Sequence, residues 1–194
     1  MAATERLPRS PDLMSRDDTG LLVVDVQEKL ISLVPEHERI IWNIRRLIDG
    51  ASLFKIPVLA TEQYPKKLGG TAAELASRLP RIAEKTAFSC VGCEEIAHQL
   101  EQSSAPKWLV VGIETHVCVQ QTVFDLMANG FRVYLAVDAV GSRFEVDSRT
   151  AIARMDAAGA TITSTEAALF EWCQASSIPE FKQISAMVKE SPPK

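Results

Sequence analysis

The segment Trp108–Gly130, WLVVGIETHVCVQQTVFDLMANG, decides how the rest of the 194-residue chain reads. It opens on an apolar run, Trp108–Val111, of the kind a strand shows when both its faces are buried. It turns at Gly112, passes through Ile113-Glu114-Thr115-His116, and enters a helix that Gly130 closes as a C-cap. Cys118 falls in the first turn of that helix. The positive end of the macrodipole lies there and favours thiolate over thiol.

The same alternation extends in both directions. Leu21–Val24 is an uninterrupted apolar strand ending at Asp25, and Ile56–Ala60 is a second strand followed by a polar loop, Thr61–Gly70. Arg81–Thr86 is a weaker strand containing Lys85; Phe131–Val137 ends at Asp138, and Ala160–Thr163 follows. Helical spacing of apolar residues covers Glu36–Phe54 behind Pro35, and Thr71–Leu79, Glu94–Gln102, Val146–Ala158 and Glu166–Gln174 also read as helices. A last helix, Pro179–Lys189, has Ser177 three residues before Glu180 in the pattern of a capping box. Strands alternating with helices imply parallel βαβ units with helices on both faces, a three-layer α/β/α fold. No linker or repeat interrupts it. One domain is expected over residues 20–190, with a polar arm at 1–19 and a short tail at 191–194.

Composition bounds the function. The chain is 46% hydrophobic and 24% charged with a net charge of −4, which is ordinary for a globular protein and leaves no footprint for nucleic acid or an anionic membrane. No stretch approaches the roughly 18–20 apolar residues of a membrane span. The N-terminal stretch has no apolar core of the signal-peptide kind. Arg6, Arg9 and Arg16 leave an organelle-targeting reading open, and Glu5, Asp12, Asp17 and Asp18 weigh against it. Four cysteines without a leader pattern do not read as a disulfide framework, so a reducing, cytoplasmic setting is expected.

In open parallel sheets the site lies at the carboxyl ends of the strands. Asp25, Lys85 and Cys118, far apart in sequence, all arrive at that rim. Each has a plain structural explanation: Asp25 as a helix cap, Lys85 as a surface lysine, Cys118 as a small core residue. Together they form a chemical unit. Asp25 takes the thiol proton and returns it to a leaving amine, Lys85 orders Asp25 and favours thiolate, and backbone N–H groups near Glu114 and Cys118 receive an oxyanion.

The segments Leu22-Val23-Val24-Asp25-Val26-Gln27, Glu84-Lys85-Thr86-Ala87-Phe88-Ser89 and Gly112-Ile113-Glu114-Thr115-His116-Val117-Cys118-Val119 together resemble the isochorismatase-like cysteine hydrolase superfamily, over Gly20 to Lys189. Ser142-Arg143, Arg154 to Ala160 and Ser164-Thr165-Glu166 are similar to a metal-free branch, the isochorismatase domain-containing proteins. The resemblance implies a Rossmann-like six-stranded parallel sheet in the order 3-2-1-4-5-6. It implies the triad Asp25, Lys85 and Cys118, a cis peptide at Ile113–Glu114, and an oxyanion hole on the Glu114 and Cys118 amides. It implies a homo-oligomer, a dimer or larger. Nicotinamidases of the superfamily carry an Asp-x-His after the second strand, where this chain has Thr61-Glu62-Gln63-Tyr64. With His37 and His98 on helices, only His116 is left at the rim, too few ligands for a metal. True isochorismatases have a small residue in place of the cysteine.

The expected activity is therefore hydrolysis of a C–N, amide-like bond of a small molecule through a thioester, without cofactor or metal, and without nucleic acid or membrane as partner. A catalytically weak oligomeric scaffold of the same fold is one alternative, and an isochorismatase-type ether hydrolase is another. Gln27, Gln63, Tyr64, Phe88, His116 and Val119 are candidates to line the pocket, loop or core packing being the competing reading for each. Cys90-Val91-Gly92-Cys93 has redox or zinc spacing but no second pair, and reads as two ordinary thiols. Trp108 and Trp172 read as packing or interface residues. Ser142-Arg143 suits either a salt bridge between subunits or a substrate carboxylate.

Overall fold

The computed structural model describes residues 7–193. In chain order the elements are β1 (Thr19–Val24), α1 (Glu28–Ile31), α2 (His37–Phe54), β2 (Val58–Gln63), α3 (Pro65–Leu68), α4 (Ala73–Ala76) and β3 (Ala83–Lys85). A 3-10 turn (Cys90–Gly92), α5 (Glu94–Gln102), β4 (Lys107–Ile113), a π-helical turn (Thr115–Val119) and α6 (Gln120–Ala128) follow. The chain ends with β5 (Arg132–Gly141), α7 (Glu145–Ala157), β6 (Thr161–Thr163), α8 (Thr165–Cys173) and α9 (Phe181–Val188).

The six strands form one parallel sheet in the order β3-β2-β1-β4-β5-β6, the topology expected from the sequence. The apolar runs exist because successive residues feed opposite faces. Leu21 and Val23 of β1, with Leu109, Val111 and Ile113 of β4, pack into a cluster with α2, α8 and α9. Leu22 and Val24, with Trp108 and Val110, pack into a second cluster with α5, α6 and α7. Each side chain of Leu or Val buried this way contributes about 1.5–3 kcal/mol. The central strands therefore hold the rim rigidly.

Several boundaries differ from the sequence reading, for local reasons. β2 runs on to Gln63 because β3 pairs with it, Thr61 opposite Ala83 and Gln63 opposite Lys85. β5 continues through Asp138 to Gly141, with a register irregularity opposite Val110–Gly112. Asp138 does not face the rim. Its Oδ1 accepts the Thr165 N–H at 2.8 Å and the Thr165 hydroxyl at 3.0 Å, an anion at the start of α8. The helix expected over Thr71–Leu79 shrinks to α4. The capping box at Ser177 and Glu180 does not form. Glu180 is the N-cap of α9 without a side-chain cap, and Phe181 N–H closes a turn on the Ile178 carbonyl.

From Arg9 onward the expected arm is packed against the domain. Met14 is fully buried, its N–H donates to Glu171 at 2.7 Å, and Lys107 Nζ donates to the Leu13 carbonyl and to Asp18, both at 2.7 Å. These contacts close the end of the sheet opposite the rim. The first six residues of the arm, with the Glu5 and Arg6 of the targeting reading, and Lys194 of the tail lie outside the described residues. Among the described residues no helix is long and apolar enough to cross a membrane.

Candidate active site

Strand order reverses between β1 and β4, and the crevice at such a switch point is where ligands bind in open α/β sheets. The register fixes what reaches it. Val24 pairs with both Thr61 and Gly112, so Asp25, Thr61 and the turn after Gly112 stand side by side. Gly112 is required at that place. Its φ is +117°, and a Cβ would fall 2.1 Å from the Val24 carbonyl oxygen.

Asp25 itself has a left-handed backbone, φ 51°, and its N–H donates to the Thr61 carbonyl at 3.1 Å. Its carboxylate is gripped on both sides. Thr61 Oγ1 donates to Oδ1 at 2.7 Å and Lys85 Nζ donates to Oδ2 at 2.6 Å. Both members of this ion pair have side chains with 0% exposure. The Lys85 ammonium also reaches Gln63 Oε1 at 2.8 Å, the Phe88 carbonyl at 2.9 Å and the Ala87 carbonyl at 3.2 Å. Four acceptors thus surround three N–H bonds. Burial alone would lower the pKa of this amine, but Asp25, together with Cys90 and Cys118, raises it above the ordinary value. Lys85 is a fixed positive charge.

Cys118 lies in the π-helical turn that leads into α6 and is 6% exposed. Here the sequence reading needs a correction. Burial first, and then the negative charge of Asp25, push its thiol well above the ordinary range, and Lys85 offsets only part of that. The resting group is a thiol under the field of Asp25, not the thiolate expected from a helix start. Burial and the carboxylate's charge outweigh the ammonium and the partial charge of one short turn.

The turn before Cys118 is strapped from the other side. The Ile113–Glu114 peptide is cis. The Glu114 carboxylate accepts Arg143 Nε at 2.9 Å and the Arg143 N–H at 3.2 Å. Ser148 donates to the Thr115 hydroxyl at 3.2 Å, and His116 Nδ1 lies 3.0 Å from Ser142 Oγ. Arg143 therefore pairs with Glu114 of its own chain.

The expected pocket residues separate into two groups. Gln27 is fully buried, and its amide joins Gly69 O at 2.6 Å, Gln63 N–H at 2.7 Å and Gln63 O at 3.0 Å, so it pins the loop after β2. Val119 is fully buried in the core. Gln63 holds Lys85 and, through Nε2, the Thr86 carbonyl at 2.8 Å. Tyr64 and Phe88 are the exposed members, 42% and 53%, and His116 is half-buried. A cavity of ≈ 290 Å³ opens beside Lys85, lined by Tyr64, Pro65, Lys66, Glu84 and Thr86. Among the described residues no three His, Cys, Asp or Glu side chains converge as a metal site would need.

Thr61 and Cys90 were missed as members of this cluster. The signal for Thr61 was its place opposite Val24 in a β2 longer than the sequence suggested. For Cys90 there was none, because the turn that folds it under β2 has no sequence signature. It is fully buried, its Sγ lies 3.4 Å from Thr61 Oγ1, and burial followed by the charge of Asp25 pushes its thiol up to about 11. Cys93 points away, toward the Glu84 carbonyl at 3.7 Å.

Comparison with known proteins agrees with the motifs. The sequence model of the Isochorismatase domain matches residues 19–167. Mouse isochorismatase domain-containing protein 2A is 36% identical over 174 residues, covering 89% of this chain and 84% of the relative. Among solved structures, the MAR1 ribonuclease of Caenorhabditis elegans superposes with a TM-score of 0.88 at 37% identity, covering 94% of this chain and 95% of that one. YcaC from Pseudomonas aeruginosa, solved with hexane-2,5-diol and covalent acrylamide, gives a TM-score of 0.84 at 25% identity over 93% of each chain.

Proposed function

Because this chain belongs to the isochorismatase family of hydrolases, we propose that it cleaves a C–N, amide-like bond of a small molecule with Cys118 as nucleophile. The observation that carries the reading is the buried Asp25 carboxylate, held by Thr61 and Lys85 beside the Cys118 thiol. A thiol kept neutral at rest needs a base at the moment of attack, and Asp25 is the carboxylate whose charge acts on it.

As sulfur bonds to the carbonyl carbon, the thiol proton passes to Asp25 and the carbonyl π pair moves to oxygen. The Glu114 and Cys118 amides receive that oxyanion, the former on a turn strapped by Arg143. The oxyanion collapses, the C–N bond breaks, and Asp25 hands the proton to the departing nitrogen. Water then gives a proton to Asp25 as it attacks the thioester, and sulfur leaves with that proton. Lys85 keeps Asp25 oriented and supplies positive charge throughout. Tyr64 and Phe88 flank the approach and meet the rest of the substrate. The covalent acrylamide on YcaC supports a nucleophile on this fold, since acrylamide bonds to nucleophiles. A homo-oligomer is part of the proposal, resting on the family alone.

The C. elegans relative's name carries a second reading, RNA cleavage. Phosphodiester cleavage asks for cations aimed at phosphate, whereas the buried Lys85 ammonium at this rim is saturated by Asp25, Gln63 and two carbonyls. The test is ammonia release from a panel of small primary amides and carbamoyl compounds, with a structured RNA and isochorismate run alongside. Native protein should release ammonia from at least one amide, and Cys118→Ala should lose at least about 10³-fold. Release that survives Cys118→Ala, or RNA cleavage that requires Cys118, would defeat the amide reading. No turnover of any substrate, with the site unreactive toward thiol reagents, would leave the scaffold.

A further inference from the structure

Cys90 has no part in the reaction just described, yet it sits against the same carboxylate. Its thiol is within 3.4 Å of Thr61 Oγ1, and that hydroxyl is 2.7 Å from Asp25 Oδ1. Donor and acceptor roles along this row are fixed by counting protons. An ionised carboxylate only accepts. The single proton of Thr61 therefore points to Asp25, and a lone pair of the hydroxyl is left for the Cys90 S–H. The burial that pushes the Cys90 thiol up to about 11 keeps it a donor at neutral pH. The row runs S–H to O–H to carboxylate.

The backbone of Cys90 completes a loop. Its N–H donates to Thr122 Oγ1 at 2.9 Å, and Thr122 donates to the Cys118 carbonyl at 2.7 Å. Thr61, Thr122 and Cys90 are each at least nine-tenths buried. One residue thus ties the base, through its side chain, to the segment that carries the nucleophile, through its main chain.

We propose that Thr61 and Cys90 are positioning residues that hold the Asp25 carboxylate aimed at Cys118. The inference rests on the reading of Asp25 as the base and adds who sets it. The titratable groups that face Asp25 are Lys85 from β3, Cys90 from the turn after it, and Cys118 from the turn after β4. From β2 it meets the uncharged Thr61. Removing the Thr61 hydroxyl takes one of two side-chain donors from a carboxylate sealed from water, and donors to charged groups are the strong ones.

The test is the pH profile of Cys118 alkylation by iodoacetamide in the full chain, from pH 5 to 9, with the labelled peptide identified by mass spectrometry. A thiol that lends its proton to a neighbouring carboxylate reacts along an acid limb and then at a plateau. One that acts alone climbs with pH throughout. Native protein should show the plateau. Thr61→Val should lower that plateau about tenfold. Thr61→Ser should restore it, and Cys90→Ala should lower it by less. If Thr61→Val does not fold, Cys90→Ala against Cys90→Ser, which keeps a donor, gives the same contrast. A Thr61→Val profile that overlays the native one, while Asp25→Asn abolishes the plateau, overturns the inference and leaves Asp25 as the base. A native profile without a plateau, unchanged by Asp25→Asn, overturns both.

Discussion

Replacing Lys85 by methionine leaves the Asp25 carboxylate with 0% exposure and no cation. Breaking a buried ion pair by removing one partner costs about 3–5 kcal/mol, because the remaining charge is neither solvated nor neutralised. Against a total stability of about 5–15 kcal/mol this is a large fraction. The same substitution leaves Gln63 Oε1 and the Ala87 and Phe88 carbonyls without their donor. A double-mutant cycle separates the two effects. Asn at position 25 removes the charge, still accepts from Thr61, and tolerates the left-handed backbone at φ 51°. Lys85→Met and Asp25→Asn/Lys85→Met lose the same three acceptor contacts, so the difference between them isolates the orphaned charge. The double variant should recover at least about 2 kcal/mol relative to Lys85→Met. Urea unfolding followed by far-UV circular dichroism, with equal m-values, measures each corner. A cost below about 1 kcal/mol for Lys85→Met, or a double variant as unstable as the sum of the singles, would refute the claim that Asp25 is a buried, ionised group.

Two further outcomes follow from the same geometry. The Cys90 thiol is pushed by burial and Asp25 from 9.0 up to about 11, and Cys118 moves the same way. Folded values above unfolded ones mean that the stability these thiols contribute is complete below pH 9 and drains as pH rises through the folded values, at about 1.4 kcal/mol per pH unit for each thiol. The urea midpoint should hold from pH 7 to 9 and then fall. Cys90→Ala/Cys118→Ala should delay the fall to about pH 10, where Tyr134, raised by burial from its ordinary 10.0, begins to drain stability; a native midpoint flat to pH 11 contradicts the buried-thiol account. Gly112→Ala places a methyl 2.1 Å from the Val24 oxygen at φ +117° and should destabilise by more than about 2 kcal/mol. A thermal midpoint within 2 °C of native, about the shift of 1 kcal/mol or less, would mean that β1 and β4 separate freely at the rim.

The sheet was legible because its central strands are buried twice. Leu21 to Val24 and Trp108 to Val111 had to be apolar without interruption to serve two cores, and that pattern leaves only a parallel sheet with helices on both faces. Strand ends were less legible, because pairing rather than side-chain pattern sets them. Thr61-Glu62-Gln63 reads as polar loop, yet β3 holds it in the ladder. Asp138 looked like a strand end, but its carboxylate belongs to the start of α8, some 27 positions along the chain.

The candidate site was legible as a set of residues and illegible as a field. Sequence position brings Asp25, Lys85 and Cys118 to one rim, but whether the thiol rests neutral or ionised depends on which charge is nearer and how dry the sulfur is. Lys85 spends its three protons on Asp25, Gln63 and the carbonyls of 87 and 88, and none is aimed at sulfur. Asp25 has its two gripping donors in Thr61 and Lys85, and its charge raises the Cys118 thiol more than Lys85 lowers it. The ammonium therefore orders the carboxylate beside Cys118, and its own charge offsets only part of that carboxylate's effect on the thiol. This order, cation to base to nucleophile, is opposite to a lysine that activates the thiol directly. In the proposed reaction, this makes Asp25 the group that both takes the thiol proton and returns it to the leaving nitrogen.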